Sequence, residues 1–423
     1  MRVAEGQSGW QGLFGLVSAA VLLLPALAQP APISPGLLLM QTQTHSTYRT
    51  GLQRWQAPQG FQDWSARGIR LNPQGQLFLD PEGWRQAVSS EAPESAFQGR
   101  PFYPPGSYWV GEAVSPEVPA SFPLVEAIVS WNATTPPGTW LEVGIRAKLQ
   151  SRWSRWYHAG VWAADPATLA SHSVRGQADE DGNLNTDLLV LKDTHNGAEA
   201  FQVRVRLFTQ EAGRSPLVDQ VAVAFSNQPA QPSHLSPGDP SRWGQVLDLP
   251  LCSQMVYPDG GAAWCSPTAL AMVMAYWQRD PRPCEPLVRA AVAGVYDRVY
   301  QGHGNWAFNV AHAAERGLAG VVARLQSLAQ AEAWIAAGVP AILSYAWGEG
   351  ELEGAPLPRS NGHLAVLVGF DSQGDPILQD PAAKTNEEVR RTYRRDQLES
   401  LWLAHSGGTV YLIYPRGWPI PDP

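Results

Sequence analysis

The chain has 423 residues, 44% hydrophobic and 16% charged, an ordinary globular balance that allows two domains with their own cores. A formal net charge of -8 and the lack of any Lys/Arg stripe argue against a nucleic-acid partner, because phosphate binding needs a clustered basic surface. Lysine occurs only at Lys148, Lys192 and Lys384, so arginine supplies almost all of the positive charge.

The first predicted element is an export signal over residues 1–28. Arg2 lies near its start, "LFGLVSAAVLLL" is the apolar run, and Ala26 and Ala28 offer small residues for cleavage. The run of about 12 residues is short for a bilayer span, which needs about 20. The alternative is an uncleaved membrane anchor, suggested by a long leading region that holds Glu5. No later stretch is apolar enough to span a membrane, and no transmembrane partner is implied. The expected location is extracytoplasmic, secreted or in the cell envelope, where thiols can oxidise.

Residues 40–228 read as all-β. "FQVRVRLF" and "VDQVAVAF" alternate in the manner of half-buried strands, "TWLEVGIRAKL" does so loosely, and "TPPG" and "DEDGN" punctuate the runs. The expected architecture is an all-β sandwich, jelly-roll-like, with no internal repeat. Trp131, Trp140, Trp153, Trp156 and Trp162 crowd this part with Tyr157. They either fill the core or form an exposed platform for a glycan or cell-surface ligand. The order of these segments resembles the β-sandwich modules found beside certain exported bacterial peptidases.

Residues 229–243 form a linker rich in proline, serine and glycine, and a second domain is expected over 244–416. That domain carries all three cysteines, Cys252, Cys265 and Cys284. An odd number leaves at least one thiol unpaired within the chain. Cys252 and Cys284 flank the third and are candidates for a disulfide, although spacing does not fix their Cα distance. No CxxC is present and the spacings match no common zinc pattern, so neither a metal nor another cofactor is expected.

Cys265 stands before "SPTALAMVMAYW", in which Ser266 suits an N-cap and Pro267 a first helical position. Leu270, Val273, Met274 and Trp277 then make a core-facing stripe. A cysteine at a helix N-terminus is favoured as the nucleophilic thiolate, yet it equally suits a small buried hydrophobe. A thiol nucleophile needs a base, and the base an orienting group. In "NGHLAVLVGFDSQGDPILQDPAA", His363 heads an apolar strand and Asp380 closes a short partner strand, so an antiparallel hairpin brings both to one rim. Gln254, upstream in "PLCSQMV", can join the Cys265 N–H as donors to an oxyanion. Trp264, His303 and Trp306 are candidates for lining a substrate cleft, with core packing as the alternative, and His312 is expected to pack in or beside a helix.

These residues resemble the C39-like group of papain-fold cysteine peptidases over roughly residues 244–416, through "LPLCSQMVYPDGGAAWCSPTALAMVMAYW", "AWIAAGVPAILSYAW", "NGHLAVLVGFDSQGDPILQDPAA" and "VRRTYRRDQLESLWLAHSGGTVYLIYP". The resemblance implies an α+β papain-like domain in which Cys265 is the nucleophile, His363 the general base, Asp380 the orienting acid and Gln254 the oxyanion donor. Ser266 and Gln379 stand where the family often has glycine and asparagine, and neither change removes a catalytic atom. No transmembrane block or ATP-binding half accompanies the domain, so a leader-peptide export role is not supported. The expected activity is hydrolysis of peptide or isopeptide bonds in a peptide or protein substrate. The alternatives are a cell-wall amidase or endopeptidase on a related fold, and a non-catalytic protein that binds a glycan or partner.

Overall fold

The computed structural model describes residues 48–83, 85–89, 102–227 and 235–421. The expected export signal and residues 229–234 of the expected linker lie outside the described residues.

The alternation in "FQVRVRLF" becomes the strand Ala198–Thr209, whose Val203, Val205 and Leu207 are fully buried. It runs antiparallel to Thr139–Leu149, pairing Val203 with Ile145 and Val205 with Val143. Those two strands anchor an eight-stranded antiparallel sheet, and a seven-stranded one is built around Glu126–Thr134 and Leu217–Ser226. Side chains of both sheets, Val129 and Trp131 from one and Val143 and Val203 from the other, share one apolar core. The turn between Glu126–Thr134 and Thr139–Leu149 ends at Gly138, at φ +81°, where a side chain would be strained. Trp131, Trp140, Trp162 and Tyr157 are core residues. Trp153 and Trp156 instead lie half-buried, with the Arg146 guanidinium 4.5 Å and 4.6 Å from their ring centres.

The C-terminal region is α+β. Its six antiparallel strands follow the order Leu318–Arg324, Thr409–Pro415, Ala341–Trp347, Ser360–Phe370, Pro376–Gln379 and Arg390–Thr392. Successive residues of a strand face opposite sides, and here both sides are covered. Leu364, Val366 and Val368 pack with α1 (Cys265–Gln278), α2 (Cys284–Val295) and α3 (Trp306–Glu315). Ala365 and Leu367 pack on the side of α4 (Leu328–Ala336) and α5 (Arg395–Ser406). Cys252 and Cys284 form a disulfide with Cα atoms 5.5 Å apart, which ties the segment before α1 to the start of α2.

The apolar stripe expected on α1 is not a stripe, because every residue from Ser266 to Ala275 is buried. Those ten residues include no charged side chain, so the helix can lie between α2, α3 and the sheet with its whole circumference covered.

The two regions belong to one compact unit. On α3, Ala307, Phe308 and Ala311 enter the core of the N-terminal sheets, while Val310 and Ala313 enter the C-terminal one. The Phe308 ring lies 5.3 Å from Trp162 and 6.1 Å from Trp131. Polar ties reinforce the join: Asn132 Nδ2 donates to the Gly320 carbonyl at 2.8 Å, and the Gly320 N–H returns a bond to Asn132 Oδ1 at 3.0 Å. Buried Arg324 pairs with Glu126 across the same boundary. The described part of the expected linker is fastened to the C-terminal region, where Glu332 accepts from the Asp239 N–H and from Trp243 Nε1.

Truncating Phe308 leaves a void in the core that both regions line. Phe308→Ala is expected to lower unfolding stability by about 3–5 kcal/mol, read from the denaturant midpoint, with the signals of the N-terminal and C-terminal tryptophans shifting together.

Candidate active site

Cys265 is the first residue of α1. The chain enters through a short 3-10 turn, Gly261–Ala263, and Trp264 occupies the N-cap, its carbonyl accepting from the Thr268 N–H at 3.0 Å. This places the helix start ahead of the expected Ser266 cap. The Ser266 hydroxyl is instead engaged with the Tyr411 hydroxyl at 3.2 Å, and Pro267 lies in the first turn, where its missing N–H leaves no bond unmade. Gly261 is required here, because a Cβ would stand 2.0 Å from the Gln254 carbonyl oxygen.

The other groups arrive on the sheet. His363 lies on Ser360–Phe370 opposite Tyr345, and Asp380 immediately follows Pro376–Gln379. His363 Nε2 is 2.7 Å from Asp380 Oδ1, and the imidazole is near enough to the Cys265 thiol to lower its pKa. With Nε2 committed to the carboxylate, Nδ1 is the nitrogen available to the thiol. Cys265 is the one free cysteine and is partly exposed, whereas His363 and Asp380 are buried.

Two charged groups in so enclosed a place need compensation. Asp380 Oδ1 accepts from the Ala382 N–H at 2.9 Å, and Oδ2 accepts from the hydroxyls of Tyr393 at 2.7 Å and Tyr345 at 3.1 Å. Burial alone raises a carboxyl, but the imidazolium, the Tyr393 hydroxyl and the Ala382 N–H hold Asp380 below its usual range. Burial likewise disfavours charge on His363, yet the Asp380 carboxylate and the neighbouring sulfur outweigh it and push the imidazole up to about 10. Burial also opposes a thiolate at Cys265. His363 and the N–H groups of Leu364 and Ser266 reverse that and bring the thiol below its ordinary value. Each shift favours a thiolate–imidazolium pair braced by a carboxylate.

Gln254 flanks this group without touching it. Its N–H donates to the Pro381 carbonyl at 2.8 Å, and its side-chain Nε2 donates to the Gly261 carbonyl at 2.6 Å, which leaves a second amide N–H. The amide is thus anchored between the residue after Asp380 and the turn before Cys265. Gln379 is spent elsewhere, donating to the Leu249 carbonyl at 3.0 Å.

The expected cleft residues divide. Trp264 is buried between Tyr257, at 5.5 Å between ring centres, and His303, at 6.3 Å. His303 is half-buried, its Nδ1 lacks a partner among the described residues, and burial lowers its pKa. Trp306 opens α3, half-buried, and its N–H donates to Asp187 Oδ2. His312 is buried within α3, and burial beside Arg316 lowers it to about 3. Among the described residues no group of three or more His, Cys, Asp or Glu is placed to hold a metal ion, and no helix is long and apolar enough to cross a membrane.

Sequence reading missed Tyr345 and Tyr393. Neither carries a local signal, since they reach Asp380 only because Ala341–Trp347 and the segment after Arg390–Thr392 flank the His363 hairpin on opposite sides. Tyr345 and Trp347 also present their rings at steep angles to His363, at 5.5 Å and 5.4 Å.

A thiol at a helix N-terminus facing a carboxylate-braced imidazole on an antiparallel sheet defines a class, and residues 246–410 match the family model described as the Peptidase_C39 like family. Residues 51–226 match a second model, the Peptidase C39 N-terminal domain, and the two matches together are consistent with a C39-like protein with an N-terminal module. The match supports a peptidase of the cysteine type. No curated protein matches the chain.

Removing one phenolic donor weakens the hold on the Asp380 carboxylate and lets the imidazole rotate. Tyr393→Phe is expected to lower kcat/KM about tenfold with KM little changed, the loss of one charge-assisted bond. A full rate in this variant would show that Tyr345 and the Ala382 N–H hold Asp380 without it.

Proposed function

We propose that this protein is an exported cysteine peptidase that hydrolyses peptide or isopeptide bonds through Cys265, His363 and Asp380, with Gln254 as an oxyanion donor. The observation that carries the reading is a half-buried free Cys265 at the start of α1, whose thiol pKa is lowered by an imidazole that is itself held 2.7 Å from a buried carboxylate. The C-terminal region is then a papain-like domain, and the N-terminal sheets are its jelly-roll-like sandwich. The Cys252–Cys284 disulfide supports export, because such bonds persist in oxidising compartments.

In the proposed reaction the thiolate attacks the amide carbonyl carbon, and a C–S bond forms as the carbonyl electrons move to oxygen. The Cys265 N–H and the second Gln254 amide N–H receive that oxyanion. Collapse breaks the C–N bond while His363 passes its proton to the leaving amine. Neutral His363 then takes a proton from water, the resulting hydroxide attacks the thioester, and the thiolate leaves with the acid product. Asp380 keeps Nε2 protonated throughout, so that Nδ1 faces the reaction.

Alkylation tests the pair. Because the Cys265 pKa is lowered and that of His363 raised, the thiolate persists as pH falls below the ordinary thiol range and loses its counter-charge only as pH rises through about 10. At pH 6, iodoacetamide is expected to modify Cys265 at least tenfold faster than an unfolded-chain cysteine, and His363→Ala to remove that advantage. Equal rates in the two proteins would overturn the ion pair and the catalytic reading with it. Release of muropeptide fragments from purified wall, without cleavage of denatured protein, would redirect the substrate to a cell-wall peptide.

A further inference from the structure

One hairpin of the N-terminal module reaches the start of α3. Gly182–Asn185 pairs with Leu188–Leu191, and the turn passes through Thr186 and Asp187. Thr186 has φ +61°, in the left-handed region, which is a genuine outlier for a β-branched residue. Conformations of this kind persist where surrounding contacts enforce them. Asp187 supplies the contact: its buried carboxylate accepts the Trp306 N–H at the start of α3.

The same region holds the loop that precedes α3. Buried Asp297 accepts from the N–H groups of Ser173, Val299 and Tyr300 and from Asn305 Nδ2. The Arg175 guanidinium donates to the Val299 carbonyl. This loop lies beside the nucleophile, with His303 in ring contact with Trp264, the neighbour of Cys265. Tyr300 belongs to the same loop, three residues before His303.

A cavity of about 410 Å³ lies between the hairpin and the loop, lined among others by Ser173, Arg175, Asn183, Asn185, Thr186 and Tyr300. Asn183 and Asn185, two apart on one strand, point to the same exposed side, where their amides make no hydrogen bond among the described residues. Arg175 is the one charged residue of the lining and has no carboxylate partner among the described residues. The nearby carboxylates are already committed, Asp187 to the Trp306 N–H and Asp297 to the loop backbone. The cavity thus offers amide, hydroxyl and guanidinium donors and no acidic side chain.

We propose that this cavity is a substrate subsite, built mainly by the N-terminal module, that takes an acidic side chain of the peptide being cleaved. The proposal rests on the peptidase reading above and adds a specificity to it. An aspartate or glutamate carboxylate would be received by Arg175 with the Asn183 and Asn185 amides, whereas a lysine would meet donors and a like charge. The backbone of that substrate would run past Tyr300 towards Cys265.

Peptidyl chloromethyl ketones that carry either glutamate or lysine at successive positions test this, with labelling of Cys265 in the full chain followed by intact mass. At one position the glutamate reagent is expected to react about tenfold faster than its lysine twin. Arg175→Glu is expected to invert that ratio. Asn185→Glu, which leaves the Arg175 bond to Val299 in place, is expected to abolish it. An identical glutamate-to-lysine ratio in all three proteins overturns the subsite. Iodoacetamide, too small to reach the cavity, separates the two ideas. Activated Cys265 with unchanged peptide selectivity sinks the subsite alone, and Cys265 no more reactive than an unfolded-chain thiol sinks the peptidase reading and the subsite together.

Discussion

α3 has two buried faces, and the rest of the molecule is arranged around that constraint. Phe308 and its neighbours complete the core of the N-terminal sheets, while Val310 and Ala313 complete the core that also surrounds α1. Burying a side chain such as Phe308 contributes about 2–3 kcal/mol, and either region alone would leave one face of the helix in water. Gly160 shows how close the fit is: a Cβ there would stand 2.9 Å from Trp131 and 3.0 Å from Phe308. Because α1 and α3 share a core, whatever fixes α3 also fixes the helix that begins with Cys265.

On that frame the site solves a problem of buried charge. A carboxylate removed from water is costly unless every lone pair is answered, and Asp380 receives an imidazole, a backbone N–H and two phenols. The carboxylate can then remain ionised, and an ionised carboxylate is what raises His363 and through it lowers Cys265. The phenols touch neither sulfur nor a substrate carbonyl, so they act as positioning residues. Their influence travels through the charge state of Asp380 and the tautomer of His363.

Much of this was legible in the sequence. The period-2 runs marked the strands of the N-terminal region, and "HLAVLVGF" with "PILQD" foretold a hairpin rim carrying His363 and Asp380, since a short turn fixes antiparallel register. What escaped depends on order in space. Tyr345 and Tyr393 reach Asp380 from the two flanks of the hairpin, from positions 35 and 13 residues away along the chain, and no local pattern marks either one. The start of α1 was placed late because Ser266 is a good cap by composition, while Tyr411 on Thr409–Pro415 claims its hydroxyl. The helix stripe failed for a related reason: an apolar and small sequence does not say how many of its faces will be covered, and α1 is covered on all of them. The tryptophans divided on geometry that composition does not encode, with Trp131, Trp140 and Trp162 inside and Trp153 and Trp156 under the arginines of the outer surface.

The N-terminal module is therefore more than a passenger on a tether. The segment between α2 and α3 carries His303, in ring contact with the neighbour of Cys265, and Tyr300, and has little regular structure of its own. The Asp297 carboxylate receives its Val299 and Tyr300 N–H groups and also the Ser173 N–H from the other region. Arg175 holds the Val299 carbonyl and Asp187 the first N–H of α3. Without the module, Phe308 would be bare and the ties from Ser173, Arg175 and Asp187 would all be lost, so a loop beside Cys265 would exchange one conformation for many. Ordering a loop costs about 1–2 kcal/mol per residue in backbone entropy, and here contacts from the other half of the chain help to offset it. That dependence gives a physical reason for a peptidase region and its N-terminal partner to fold as one unit.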